Sequence, residues 1–156
     1  MTRMKNKVAL VTGAAKGIGA ATAAILAREG AKIVCTDLDE QAGQAVADEI
    51  ANAGGEATFI RHDVVNEAEW EAAAKHAEEK FGGLHILVNN AGIASRGQTV
   101  ADTDPQELER VLKVHAMAPH FMSKLVLPHM RKEERGDIII ISSVATLSHS
   151  ANGGPY

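Results

Sequence analysis

The chain has 156 residues, enough for one hydrophobic core. Its net charge of −4, with both signs interspersed, excludes the basic footprint that nucleic acid needs, and 3% aromatic content leaves no stacking platform for single strands. One cysteine excludes an internal disulfide; Cys35 lies in an apolar run and reads as a buried thiol, which suits a reducing cytoplasm.

The segment from Met1 to Lys5 leads into a short apolar run, Val8 to Val11, which is too short for a signal-peptide core or a membrane span. The first expected strand is Lys7–Thr12, followed by a helix from about Gly17 that stops at Gly30. A second strand, Ala31–Thr36, precedes a helix ended by Gly54-Gly55, and a third strand is expected over Ala57–Arg61. The third helix opens at Asn66 with Glu69 three residues on, a capping-box pattern. It presents Trp70, Ala73, Ala74, Ala77 and Phe81 on one face and ends at Gly82-Gly83. The fourth strand, Leu84–Asn89, is followed by a loop and a helix that opens at Asp104-Pro105, with Glu107 able to reach back. That helix is expected to run towards Arg131, bent near Pro119 or Pro128, and to end in a solvated charge run, Arg131 to Arg135. The fifth strand is Asp137–Ser142.

The strands are apolar almost throughout, so both their faces are buried. Strand–helix alternation with right-handed crossovers then gives an α/β fold, a Rossmann-type doubly wound parallel sheet with helices on both faces.

The first strand runs into Thr12-Gly13-Ala14-Ala15-Lys16-Gly17-Ile18-Gly19. Gly13 supplies a positive φ for the tight turn, and a glycine at the helix start lets a pyrophosphate approach the backbone. Free N–H groups and the helix dipole favour that anion, and Gly19 lets the helix pack close to the sheet. A purely structural turn is the alternative. Asp37 ends the second strand 18 residues after Gly19. Its carboxylate suits the two hydroxyls of an adenosine ribose and repels a 2′-phosphate, which favours NAD over NADP. Lys16 pulls the other way. Either Asp37 or Asp39 could instead cap the second helix, and Asp39 fits that role better.

With these residues in view the chain resembles the short-chain dehydrogenase/reductase family, from Lys7 to Tyr156. Its glycine pattern matches Thr12 to Gly19. Its adenine-contacting aspartate matches Asp63-Val64, and its Asn-Asn-Ala-Gly matches Asn89-Asn90-Ala91-Gly92. Its catalytic serine and tyrosine match Ser143 and Tyr156, thirteen residues apart. The resemblance implies hydride transfer between NAD(H) and a small alcohol or carbonyl substrate. In it Tyr156 exchanges the hydroxyl proton and Ser143 hydrogen-bonds the substrate oxygen. It also implies cofactor contacts from Gly13, Lys16, Gly17, Ile18, Gly19, Asp37, Leu38, Asp63, Val64, Asn90, Ala91 and Gly92.

Where the family has an asparagine that supports a proton relay, this chain has His115. The histidine could hydrogen-bond a relay water or be a packed helix residue. The family's lysine four residues past the tyrosine would fall beyond Tyr156. The chain therefore reads as a single dinucleotide-binding domain, 1–156, incomplete at its C-terminus and a poor catalyst alone, with an exposed fifth strand prone to self-association. The intact protein would be a homo-oligomer, dimer or tetramer, in the cytoplasm.

No metal site is expected. His115, His120 and His129 do not share a helix face, and His62, His76, His85 and His149 read as surface or strand-end residues. Two other readings are a nucleotide-binding module without turnover and a methyltransferase; Asn89 to Gly92 and the Ser143/Tyr156 spacing argue against the methyltransferase.

Overall fold

The computed structural model describes residues 2–94, 96, 99–132 and 134–143. Five strands form one parallel sheet: β1 (Val8–Thr12), β2 (Lys32–Asp37), β3 (Glu56–Arg61), β4 (Ile86–Asn89) and β5 (Asp137–Ile140). Their order across the sheet is β3-β2-β1-β4-β5, so the winding reverses between β1 and β4. That reversal is the doubly wound arrangement expected from the sequence.

The helices are α1 (Gly17–Arg28), α2 (Glu40–Asn52), α3 (Glu67–Phe81), α4 (Pro105–Leu112) and α5 (Ala118–Lys132), with a π-turn at Lys113–Met117 between the last two. Alternate residues of each strand feed opposite faces. Val8 and Leu10 of β1, Val34 of β2 and Leu87 of β4 pack under α3 and α5, against Trp70, Ala73, Ala77, Met122 and Val126. Ala9 and Val11 of β1, Ile33 and Cys35 of β2 and Val88 of β4 pack under α1 and α2, against Ala23, Ala27 and Ile50. Cys35 is fully buried, and burial pushes its thiol up to about 12, where it stays protonated.

The helix ends follow the sequence signals. Gly30, Gly54 and Gly82 adopt φ of +94°, +87° and +83° just past α1, α2 and α3. Asp39 caps α2 by accepting from Ala42 N–H at 3.0 Å, which leaves Asp37 for another role. Asn66 caps α3 through Ala68 N–H at 3.2 Å, but the capping box is not closed. Glu69 reaches past the Asn66 backbone to Asp63 N–H at 2.6 Å and to the Asn66 side-chain amide at 2.7 Å, because Arg61 holds its carboxylate there. Asp104 caps α4 through Glu107 N–H at 2.7 Å.

The long fourth helix is where expectation and structure part. The break falls just before Pro119 and is a widened turn, not a bend. Ala118 donates to Lys113 O, five residues back, and Pro119 has no N–H to give. Pro128 sits inside α5 without interrupting it. β5 pairs with β4 along all four of its residues, Asp137–Ile140, and is mostly exposed: Ile139 and Ile140 are 43% and 57% exposed, because among the described residues only β4 flanks it.

Candidate functional site

The C-terminal ends of all five strands lie along one edge of the sheet, and the β1/β4 reversal opens a crevice there. Thr12, the last residue of β1, organises it. Its hydroxyl accepts from Asn90 N–H and Ala91 N–H, both at 3.0 Å, and donates to Val88 O at 3.3 Å. The Asn90 side-chain amide donates to Thr12 O at 2.9 Å and to Gly13 O at 3.1 Å. The glycine turn after β1 and the Asn-Asn-Ala-Gly segment after β4 are thus one hydrogen-bonded unit. The sequence pattern gives Thr12 no role of its own, although a hydroxyl at a strand end is the signal that could have assigned it.

Two glycines explain the tightness. Gly13 has φ +65°, and a Cβ there would stand 2.9 Å from Ala91 Cα. A Cβ on Gly19 would fall 2.1 Å from Gly13 O and 2.5 Å from Asn90 Nδ2. Gly19 therefore makes room for the turn itself and for Asn90, rather than for the sheet as the sequence suggested. Gly17 is different: its φ is +58°, and a Cβ would meet nothing within 4 Å. It opens the N-terminus of α1, where no side chain caps the first N–H groups and the first turn carries no acid. Lys16 and Ile18 flank this opening and are exposed, Ile18 by 65%.

Asp37 lies across from the turn, partly buried. Its Oδ2 accepts from Ala15 N–H at 3.0 Å and its Oδ1 from Asp39 N–H at 3.1 Å. Each oxygen has lone-pair capacity left for a further donor. Leu38 beside it is 56% exposed, an apolar wall next to the carboxylate.

The loop after β3 is pinned on every side. Trp70 Nε1 donates to Val64 O at 2.7 Å, and Asp63 takes Val65 N–H at 3.1 Å. Arg61 donates to both oxygens of Glu69 at 3.0 and 2.9 Å. The Asp63 amide together with Arg61 holds the Glu69 carboxyl below the usual carboxylate range. His62, read from sequence as a strand-end residue, is buried to 2%. It follows β3 under α3, with Nδ1 3.0 Å from Thr36 Oγ and its own N–H on Asp37 O at 2.9 Å. Burial pushes its pKa down to about 4.

His115 stands on the π-turn, half-buried. Its Nε2 lies 3.1 Å from Ile93 N and 2.8 Å from Ile93 O. A Cβ on Gly92 would come within 3.0 Å of His115 Cε1, so the glycine makes space for the imidazole. Ser143 is half-buried just beyond β5. Tyr156 and His149 lie outside the described residues.

Among the described residues no cluster of His, Cys, Asp and Glu could hold a metal ion, and no helix is long and apolar enough to cross a membrane. The crevice instead presents an open helix N-terminus, an oriented carboxylate and two apolar rims, which together fit a nucleotide.

Comparison with known proteins agrees. The short chain dehydrogenase family matches residues 7–156. The chain is 42% identical to a 3-alpha-(or 20-beta)-hydroxysteroid dehydrogenase of Mycobacterium tuberculosis, over 94% of the chain and 55% of that protein. It is 41% identical to a trans-4-hydroxycyclohexanecarboxylate dehydrogenase of Sinomonas cyclohexanicum, over 99% of the chain and 61% of that protein. It is 35% identical to a cyclopentanol dehydrogenase of Comamonas, over 100% of the chain and 62% of that protein. The chain therefore spans little more than half the length of these relatives.

Proposed function

The chain belongs to the short-chain dehydrogenase family, and on that footing we propose that it supplies the nucleotide-binding part of an oxidoreductase acting between NAD(H) and a cyclic secondary alcohol or its ketone. The observation that carries the reading is the joined turn: Asn90 and Thr12 lock the glycine loop against the segment after β4 at the reversal of the sheet. The relatives' names supply the substrate class, since the three described above each name a ring-bearing alcohol or steroid.

In this reading Gly13, Lys16, Gly17, Ile18 and Gly19 hold the pyrophosphate at the N-terminus of α1. Asp37 takes the ribose hydroxyls, and its charge there disfavours a 2′-phosphate, so NAD is preferred over NADP. Leu38, Asp63 and Val64 hold the adenine, and Asn90, Ala91 and Gly92 line the nicotinamide end. When bound, the nicotinamide supplies or accepts the hydride. Tyr156 gives or takes the hydroxyl proton, Ser143 donates to the substrate oxygen, and His115 fixes the backbone beside them. Residues 1–156 form one dinucleotide-binding domain, and exposed Leu108 and Leu112 on α4 support assembly into a homo-oligomer.

The test is direct. A full-length protein that contains this chain should bind NAD more tightly than NADP in a calorimetric titration and reduce NAD in the presence of cyclopentanol. Tight NAD binding with no turnover on any cyclic alcohol would leave a nucleotide-binding module, and binding of neither dinucleotide would reject the assignment.

A further inference from the structure

One helical segment grips the backbone that follows the Asn-Asn-Ala-Gly segment. The side chains of Glu107 and Arg110 on α4 and of His115 on the π-turn lie three and then five residues apart in sequence. Each holds a different main-chain group. His115 Nε2 meets Ile93 N and Ile93 O at 3.1 and 2.8 Å. Arg110 Nη2 donates to Ala94 O at 3.2 Å. Glu107 Oε1 accepts from Arg96 N–H at 3.0 Å. The helix thus holds main-chain atoms of the segment directly.

Glu107 is the centre of this grip. Its side chain is fully buried, yet charged. Arg110 donates to both its oxygens, at 2.9 and 2.8 Å, and Arg96 Nε lies 3.5 Å away. A buried carboxylate is tolerated only where such partners surround it, and removal of one strands the other. The N-cap of α4 is Asp104, whose bond goes to the Glu107 amide and leaves the Glu107 carboxylate to the two arginines. The buried charge has another use: it fixes where Arg96 leaves the crevice.

We propose that Glu107 and Arg110 are positioning residues that set the wall of the alcohol pocket by clamping the backbone at Ala94 and Arg96. The proposal rests on the oxidoreductase reading above. The clamp lies on the Gly92 side of the crevice, away from Asp37 and Asp63, so it should govern the substrate end and not the adenosine end.

The experiment is made in the full-length protein that contains this chain and compares Glu107→Gln and Arg110→Lys with the unmutated sequence. It measures KM and kcat for cyclopentanol with NAD, the affinity for ADP-ribose, and hydrogen exchange of the Arg96 amide. Glu107→Gln should raise KM about tenfold to a hundredfold, as sub-ångström displacement of a pocket wall does. ADP-ribose affinity should stay within about twofold, because no adenosine contact is touched. Arg110→Lys keeps the charge but loses the fork to Glu107 and the Nη2 bond to Ala94 O, so its effect should be smaller and in the same direction. Faster Arg96 exchange with an unchanged KM would overturn the proposal. So would a parallel loss of ADP-ribose affinity, which would mark general loosening. A protein that binds neither ADP-ribose nor NAD refutes the oxidoreductase reading, whereas normal turnover with an indifferent Glu107→Gln refutes the clamp alone.

Discussion

His62 shows how a single side chain couples the site to acidity. Its ordinary pKa of 6.5 is lowered to about 4 by burial, so the folded protein resists a proton that the unfolded chain accepts. Between those two values the unfolded state binds more protons, and stability falls as pH falls, by about 3 kcal/mol in all. Replacing His62 with Gln should flatten that part of the pH–stability curve in denaturant titrations. The sequence did not reveal this, because whether a strand-end histidine faces water depends on α3, which covers it only in three dimensions. What was readable is that Asp39, not Asp37, caps α2, and Asp37 accepts instead from Ala15 and Asp39 N–H. Asp37→Ala should narrow the preference for NAD over NADP in paired kinetic assays. In a full-length version the proton-transfer role proposed for Tyr156 predicts that Tyr156→Phe cuts turnover at least about a hundredfold while sparing NAD affinity in kinetic and binding assays. His115 faces two backbone groups with one nitrogen, which either donates or accepts. In the full-length protein His115→Asn should preserve turnover in kinetic assays, since either side chain can hydrogen-bond a relay water.

Elements were legible where a local signal sets them. The apolar runs marked all five strands, and the glycines at 30, 54 and 82 ended their helices as left-handed caps. The division of the last helical stretch was not legible. Proline announces a missing donor, but whether the helix kinks, tilts or widens depends on what its other carbonyls find, and here the turn before Pro119 widens while Pro128 is absorbed. Widening turns His115 towards Ile93. The glycine turn is a second element whose shape exceeds its motif, because Gly19 is needed by Asn90, a residue from the far side of the sheet reversal. Gly19→Ala forces a Cβ against Gly13 O, a backbone atom that cannot step aside. It should destabilise the fold by about 1–3 kcal/mol in chemical denaturation and weaken dinucleotide binding further, since the turn itself must shift.

At the scale of the whole molecule the sheet has one well-covered flank and one bare one. Near-continuous apolar strands implied helices on both faces, and the two core clusters show that layering for β1, β2 and β4. β5 carries the same kind of sequence but leaves Ile139, Ile140 and Ile141 exposed by 43%, 57% and 39% among the described residues. An apolar edge with one side unpaired templates association, so Ile140→Lys should lower the sedimentation-derived association constant of the 156-residue chain. The opposite flank has a quite different consequence. Trp70 is the chain's one tryptophan, stacked on Phe121 with centroids 5.1 Å apart and tied through its indole N–H to Val64 O. All indole emission from these 156 residues therefore originates beside the segment that we assign to adenine. Its wavelength and lifetime form a built-in optical gauge: a nucleotide that settles on Val64 alters the indole's hydrogen bond, and the colour of the protein's own light should change without any attached dye.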